Sequence, residues 1–247
     1  MSKLSFIIHH QFEAYRDEIL PHIKEDSAVN HQDSSHQKIE LKELTLVASE
    51  FKNKHFWSRL KSVLTRSSPA EDYYYECNFL NDNGIDTHTP AAFANYYQHG
   101  AIAKSVFYRT YKPLQKANEL FAMEQDVEDE AFMDYARFLY KLHSLGIFCE
   151  DAGIESVRYL KKDQSYQFHL VHKNRLNEDA YTYRHIIHHI NNLQMPSPYM
   201  GRLWDAYLKV SQADETLTFE KMVLHKALEK WCSKRFPKVT VKQAVVA

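Results

Sequence analysis

Apolar positions recur along this chain with two different periods, and the change between them divides it. Between residues 11 and 24, Phe12, Tyr15, Ile19 and Leu20 fall at helical spacing. Residues 28–37 are polar and predict a loop. From Ile39 to Leu46 apolar and polar residues mostly alternate, and the run becomes fully apolar at Val47, which predicts a pair of strands. Ser68 followed by Pro69 is a helix-start signal, and Asn83-Gly84 a stop, so a helix is expected over 69–80. Residues 101–111, with Ile102, Val106, Phe107 and Tyr108, form another strand region. Beyond Pro113 the period becomes helical. Phe132, Tyr135, Ala136, Leu139 and Leu142 make the stripe of a core helix that Gly146 ends. Glu124, Asp126, Glu128, Asp129 and Glu130 lie before it, where the helix dipole favours negative charge. Further helices are expected over 180–193, 203–211 and 219–236, with a strand-like stretch at 167–172. Strands early and helices late predict an α+β, two-lobed plan.

Composition narrows the class. The 247 residues are long enough for one large domain or two small lobes, and 44% apolar with 26% charged residues is ordinary for a soluble globular protein. A net charge of −1 gives no overall pull toward nucleic acid or an anionic membrane. No apolar run reaches the length of a membrane helix. The run from Leu4 to Ile8 is too short for a signal peptide. Cys77, Cys149 and Cys232 are scattered and odd in number, which fits a reducing cytoplasm better than a disulfide framework. Only five glycines occur, none before Gly84.

The chemistry concentrates in residues 143–176. A protein kinase carries a catalytic loop of pattern H-R-D-L-x-x-x-N, followed by a metal-binding Asp after a further strand. Here Asp151 holds the catalytic-base position. Cys149 stands at the His position, Ser156 at the Asn position and His172 at the metal-binding Asp position. Four further segments lie in register with one family. Residues 51–60 with Arg66 look like its linker between the third strand and the αC helix. Residues 83–87 with Thr89-Pro90 look like its turn after that helix. Residues 135–147 look like its helix before the catalytic loop, and Leu170, Val171, Asn174 and Arg175 surround His172 as in its metal-binding motif. The chain thus resembles the lipopolysaccharide core (Kdo/heptose) kinases, especially the compact members of Bacteroides-like bacteria. The resemblance implies a two-lobed protein-kinase-like fold: a small β-sheet lobe with its αC helix over residues 1–112, and a mostly helical lobe over 113–247.

It also implies where catalysis would fail. Phosphoryl transfer depends on positioning and on neutralising charge. The phosphate-covering loop, near residues 26–37, has no glycine to let backbone N–H groups approach phosphates. The third-strand lysine position holds Ser49, with Lys52 and Lys54 as neighbouring substitutes, and Lys52 is expected to face differently. The αC glutamate position holds Tyr75, and Glu76 is one residue, about 100°, around the helix. Tyr75 is expected to fill space that a nucleotide needs. Ser156 is a weaker magnesium ligand than Asn, and the imidazole of His172 suits zinc, copper or nickel better than hard Mg²⁺.

The expected function is therefore a pseudokinase with a binding or regulatory role in cell-envelope polysaccharide biosynthesis, with no cofactor. The competing expectation is a divergent kinase that uses ATP and magnesium, with Asp151 as base, on a lipopolysaccharide core sugar. Partners implied are lipopolysaccharide core or another envelope-biosynthesis protein, on the cytoplasmic side or at the inner face of the inner membrane. Lys52, Lys54, Arg59, Lys61 and Arg66, with no acid between them, offer a peripheral contact for an anionic surface. Nucleic acid is not expected. His185, His188 and His189 have spacing that could grip a metal from one helix face, but the glutamate of the zinc-protease signature is missing.

Overall fold

A computed structural model describes residues 3–25, 36–52, 67–122, 126–148, 153–171, 177–178, 182–213 and 219–235. The chain divides into two compact units, Met1–Pro113 and Leu114–Ala247.

The first unit is built on five antiparallel strands. β1 (Lys3–Ile8) leads through a 3₁₀ turn (His10–Tyr15) into α1 (Arg16–Glu25). β2 (His36–Glu40) and β3 (Thr45–Lys52) form the expected strand pair, closed where Leu41 N–H donates to Leu44 C=O at 2.9 Å. α2 (Pro69–Asp82) follows, then the hairpin of β4 (Pro90–Gln98) and β5 (Ala101–Thr110). The sheet order is β1-β4-β5-β3-β2. A strand, a crossing helix, and a hairpin whose second strand returns beside the first is the small-lobe plan of a protein kinase. β1 adds an edge strand beyond β4.

The sheet is buried on both faces, and side-chain alternation assigns each residue to one of them. Ile39, Leu46, Ala48, Ala92, Ala94, Val106 and Tyr108 pack with Ile19 and Ile23 of α1. Phe93 and Phe107 pack with Ala70, Tyr74 and Cys77 of α2. The start of α2 is set locally: the Ser68 hydroxyl accepts from Glu71 N–H at 3.1 Å, and Pro69 occupies the first turn, where its missing N–H costs nothing. The β4–β5 turn uses His99 (φ 53°) and Gly100 (φ 80°), both left-handed as a two-residue hairpin requires.

The second unit has the element order of a kinase large lobe. β6 (Gln115–Lys116) and α3 (Ala117–Leu120) precede α4 (Asp129–Ser144). α4 carries Asp129 and Glu130 in its first turn and Lys141 in its last, as its dipole favours. β7 (Ile147–Phe148), a 3₁₀ turn (Ile154–Ser156), and the hairpin of β8 (Val157–Lys162) and β9 (Ser165–Leu170) come next. β10 (Asn177–Glu178) pairs back onto β7, with Asn177 opposite Phe148. α5 (Tyr183–Asn191), α6 (Ser197–Gln212) and α7 (Phe219–Arg235) complete it. Phe168 of β9 packs against Phe121, Tyr135 and Phe138, joining the hairpin to α4. Together the two units make an α+β, protein-kinase-like fold. Among the described residues no helix is long and apolar enough to cross a membrane.

Candidate functional site

The residues singled out at the nucleotide positions do not share one surface. Ser49 pairs with Phe107 across β3 and β5, which turns it to the α2 face, and it is only 7% exposed. This is the face where a kinase carries its phosphate-binding lysine. Lys52, three residues on, lies on the other face. Its ammonium is 3.1 Å from Glu50, which also lies 3.5 Å from Lys104. A strand alternates with period two, so an odd step along β3 always changes face. Lys54, Arg59, Lys61 and Arg66 lie outside the described residues.

Tyr75 sits on the outer flank of α2, 51% exposed, with its ring 5.4 Å from that of Tyr74 and 6.1 Å from that of Phe93. Its own unit does not bury it as a plug. Glu76 acts electrostatically on both Tyr73 and Cys77. The single residue separating Tyr75 from Glu76 turns their side chains about 100° apart around the helix.

Between α2 and the sheet lies a cluster that the residue patterns had not marked. The Tyr73 ring meets Phe107 edge-on at 4.9 Å and His88 at 6.3 Å. Burial pushes the Tyr73 hydroxyl well above its ordinary pKa, and pushes the Cys77 thiol up to about 12, so both are neutral. Arg109 of β5 is part-buried on the same side. Burial lowers its pKa, and Tyr73 and Cys77 are the ionisable groups that act on it. Alternation from Phe107 was the available signal for Arg109.

In the second unit, Asp151, Cys149 and His172 lie outside the described residues. What flanks them is ordered by backbone pairing: Asn177 opposite Phe148, and Val171 N–H donating to Ser156 C=O at 2.7 Å. Ser156 borders a cavity of about 10 Å³ with Phe138, Leu142, Val157, Leu170 and His189. Among the described residues no group of three His, Cys, Asp or Glu could hold a metal ion.

The histidines of α5 have separate roles. His188 contacts Asn192 at 2.9 Å on an exposed face. His189 is buried, its Nδ1 2.7 Å from Nε2 of His143, whose own Nδ1 is 2.8 Å from the Tyr207 hydroxyl. One proton per contact satisfies this row in either direction, so both imidazoles fit as neutral rings. Burial holds His143 well below its ordinary pKa and lowers His189 to about 4. Phe148, next to the catalytic-loop position, stacks on His143 at 5.1 Å. His143 had been noted only within the helix pattern, and Tyr207 not at all, because their partners are 46 and 64 residues away.

No protein-family model matches the sequence, and neither does any curated protein. Among solved structures, the chain is similar to WaaP in complex with acyl carrier protein, at 11% identity over 96% of this chain and 100% of that one, with a TM-score of 0.49. It is similar to WbdD bound to the kinase inhibitor LY294002, at 16% identity over 82% of this chain and 44% of that one, with a TM-score of 0.42. It is also similar to the autoinhibited serine kinase domain of the giant muscle protein titin, at 11% identity over 82% of this chain and 70% of that one, with a TM-score of 0.39.

Proposed function

We propose that this chain is a kinase-fold protein without ordinary phosphoryl-transfer activity, related to the lipopolysaccharide core kinases of Bacteroides-like bacteria. Its role is binding or regulation in cell-envelope polysaccharide biosynthesis, on the cytoplasmic side. The observation that carries the reading is Ser49: buried, facing α2, where a transferase needs a cation, while Lys52 faces away toward Glu50. The substitutions at Cys149, Ser156 and His172 support it from the sequence. Losing one charge-stabilising group costs a few kcal/mol of barrier, about a hundredfold in rate or more. Losing several leaves no practical turnover.

An exposed apolar patch supports a binding role. Ile7 pairs with Phe93 across β1 and β4, Tyr75 packs beside Phe93, and Phe79 lies one turn further along α2. Ile7, Tyr75 and Phe79 are all exposed. Exposed apolar side chains grouped in this way mark contact surfaces more often than isolated ones do. No magnesium–nucleotide cofactor is part of this proposal.

The test is transfer of radioactive phosphate from ATP to lipopolysaccharide core, with Asp151→Ala as control. No incorporation above the control is expected. Magnesium-dependent incorporation that Asp151→Ala abolishes would instead establish a divergent active kinase.

A further inference from the structure

The α2-facing side of the sheet carries a cation that the kinase pattern does not assign. Arg109 follows Phe107 by two residues on β5, so both side chains leave the same face. Phe107 stands opposite Ser49, and Arg109 opposite Val47, one same-face step along β3. Arg109 is part-buried, and among the described residues no carboxylate pairs with it. The groups acting on it, Tyr73 and Cys77, are both kept neutral by burial. Buried or part-buried charges are normally paired, because lost hydration is otherwise uncompensated. A guanidinium with no carboxylate partner among the described residues, and with access to solvent, offers half of an ion pair.

The missing half can be specified chemically. The planar fork of arginine matches the oxygens of a phosphate or carboxylate in two parallel hydrogen bonds. Ser49 on the neighbouring strand and Tyr73 on α2 bring hydroxyls to the same side, and hydroxyl donors suit the remaining oxygens. Glu76, whose charge acts on Tyr73 and Cys77, disfavours an anion beside them, which leaves the Arg109 side for the phosphate. None of these groups calls for a metal ion.

We propose that Arg109 is the centre of a metal-independent binding site for a phosphate-bearing ligand, on the α2-facing side of the sheet, flanked by the hydroxyls of Ser49 and Tyr73. The site rests on the reading of this chain as a non-catalytic binding module and names what that module takes. The cation comes from β5 instead of β3. Two ligand sources share this chemistry, the phosphates of a nucleotide and a phosphorylated sugar.

Calorimetric titration with EDTA present tests the site using three probes: tripolyphosphate, ATP and glucose 6-phosphate. At least one is expected to bind the wild-type protein. Arg109→Gln should weaken that binding about tenfold or more, the value of a charged hydrogen-bonded contact. Arg109→Lys, which keeps the charge but loses the fork, should fall between them, and it serves alone if Arg109→Gln does not fold. Lys3→Gln on β1 controls for net charge and should bind as wild type. Preference for ATP identifies a nucleotide source, and preference for glucose 6-phosphate a sugar source. Failure of all three probes to bind, or unchanged affinity in both Arg109 variants, overturns the site while leaving the non-catalytic reading in place. Tighter ATP binding on replacing EDTA with Mg²⁺ overturns metal independence and counts against the non-catalytic reading as well.

Discussion

His143 is fully buried, yet both of its ring nitrogens have partners, and this makes the row Tyr207–His143–His189 a stability device with a defined pH response. A histidine held neutral in the fold gains a proton more readily when unfolded, so stability drains as pH falls. For His189 the loss begins below its ordinary 6.5 and continues toward about 4; His143 acts in the same direction. The urea midpoint should therefore drop steadily from pH 7 to pH 5, and His189→Asn should flatten that slope. An equally steep slope in the variant would contradict this account. Tyr207→Phe leaves one nitrogen of His143 unpartnered and should cost about 1–3 kcal/mol at neutral pH, read from chemical denaturation. Pairwise facts of this kind lie beyond a linear reading of the chain. His189 stood out by its spacing to His185, but its actual partner is on another helix.

At the scale of elements, the long periodic segments were legible and the non-periodic ones were not. α2 begins at Ser68–Pro69 as its cap chemistry predicts, and α4 carries the stripe from Phe132 to Leu142. The helices expected over 180–193, 203–211 and 219–236 appear as α5, α6 and α7. β4 escaped notice because α1 and α2 cover both sides of the sheet. Its residues from Pro90 to Tyr96 are all buried, so no polar face remains to alternate with an apolar one. In β1 the exposed Lys3 and Ser5 alternate with inward Leu4, Phe6 and Ile8, but Ile7 puts an apolar side chain on the outward face and makes the run Phe6–Ile8 look uniformly apolar. The site was legible where an expected residue type was missing, as at Ser49, and illegible where an unexpected one arrived, as at Arg109. The Ser68 cap gives a direct test of the helix that backs this site. Its hydroxyl also bonds Asn95 of β4 at 2.5 Å, so it fastens α2 to the sheet. Ser68→Ala should lower stability by about 1–2 kcal/mol, visible as a reduced melting temperature. A melting temperature equal to wild type would show that neither bond contributes.

For the molecule as a whole, a net charge of −1 means that attraction to an anionic surface must be local. The five basic residues within 52–66 are one concentrated source of it, and Lys230, Lys234, Arg235, Lys238 and Lys242 are another. Association with anionic vesicles should thus occur only at low ionic strength and weaken in Lys61→Glu/Arg66→Glu, measured by co-sedimentation. Co-sedimentation that persists at high salt would point to an apolar insertion instead. The pairing of β3 with β5 also bears on how loss and replacement of a charge can be recognised. Sliding an alignment by three residues along β3 reaches Lys52, which lies on the wrong side. The cation on the correct side, Arg109, stands diagonally from Ser49 on a strand that the chain reaches only after crossing α2 and β4. Comparison of relatives position by position would score Ser49 as a deletion of function and Arg109 as an unrelated surface change. Under the proposed phosphate site the two diagonal positions become a single exchange, and their covariation is the signature to seek.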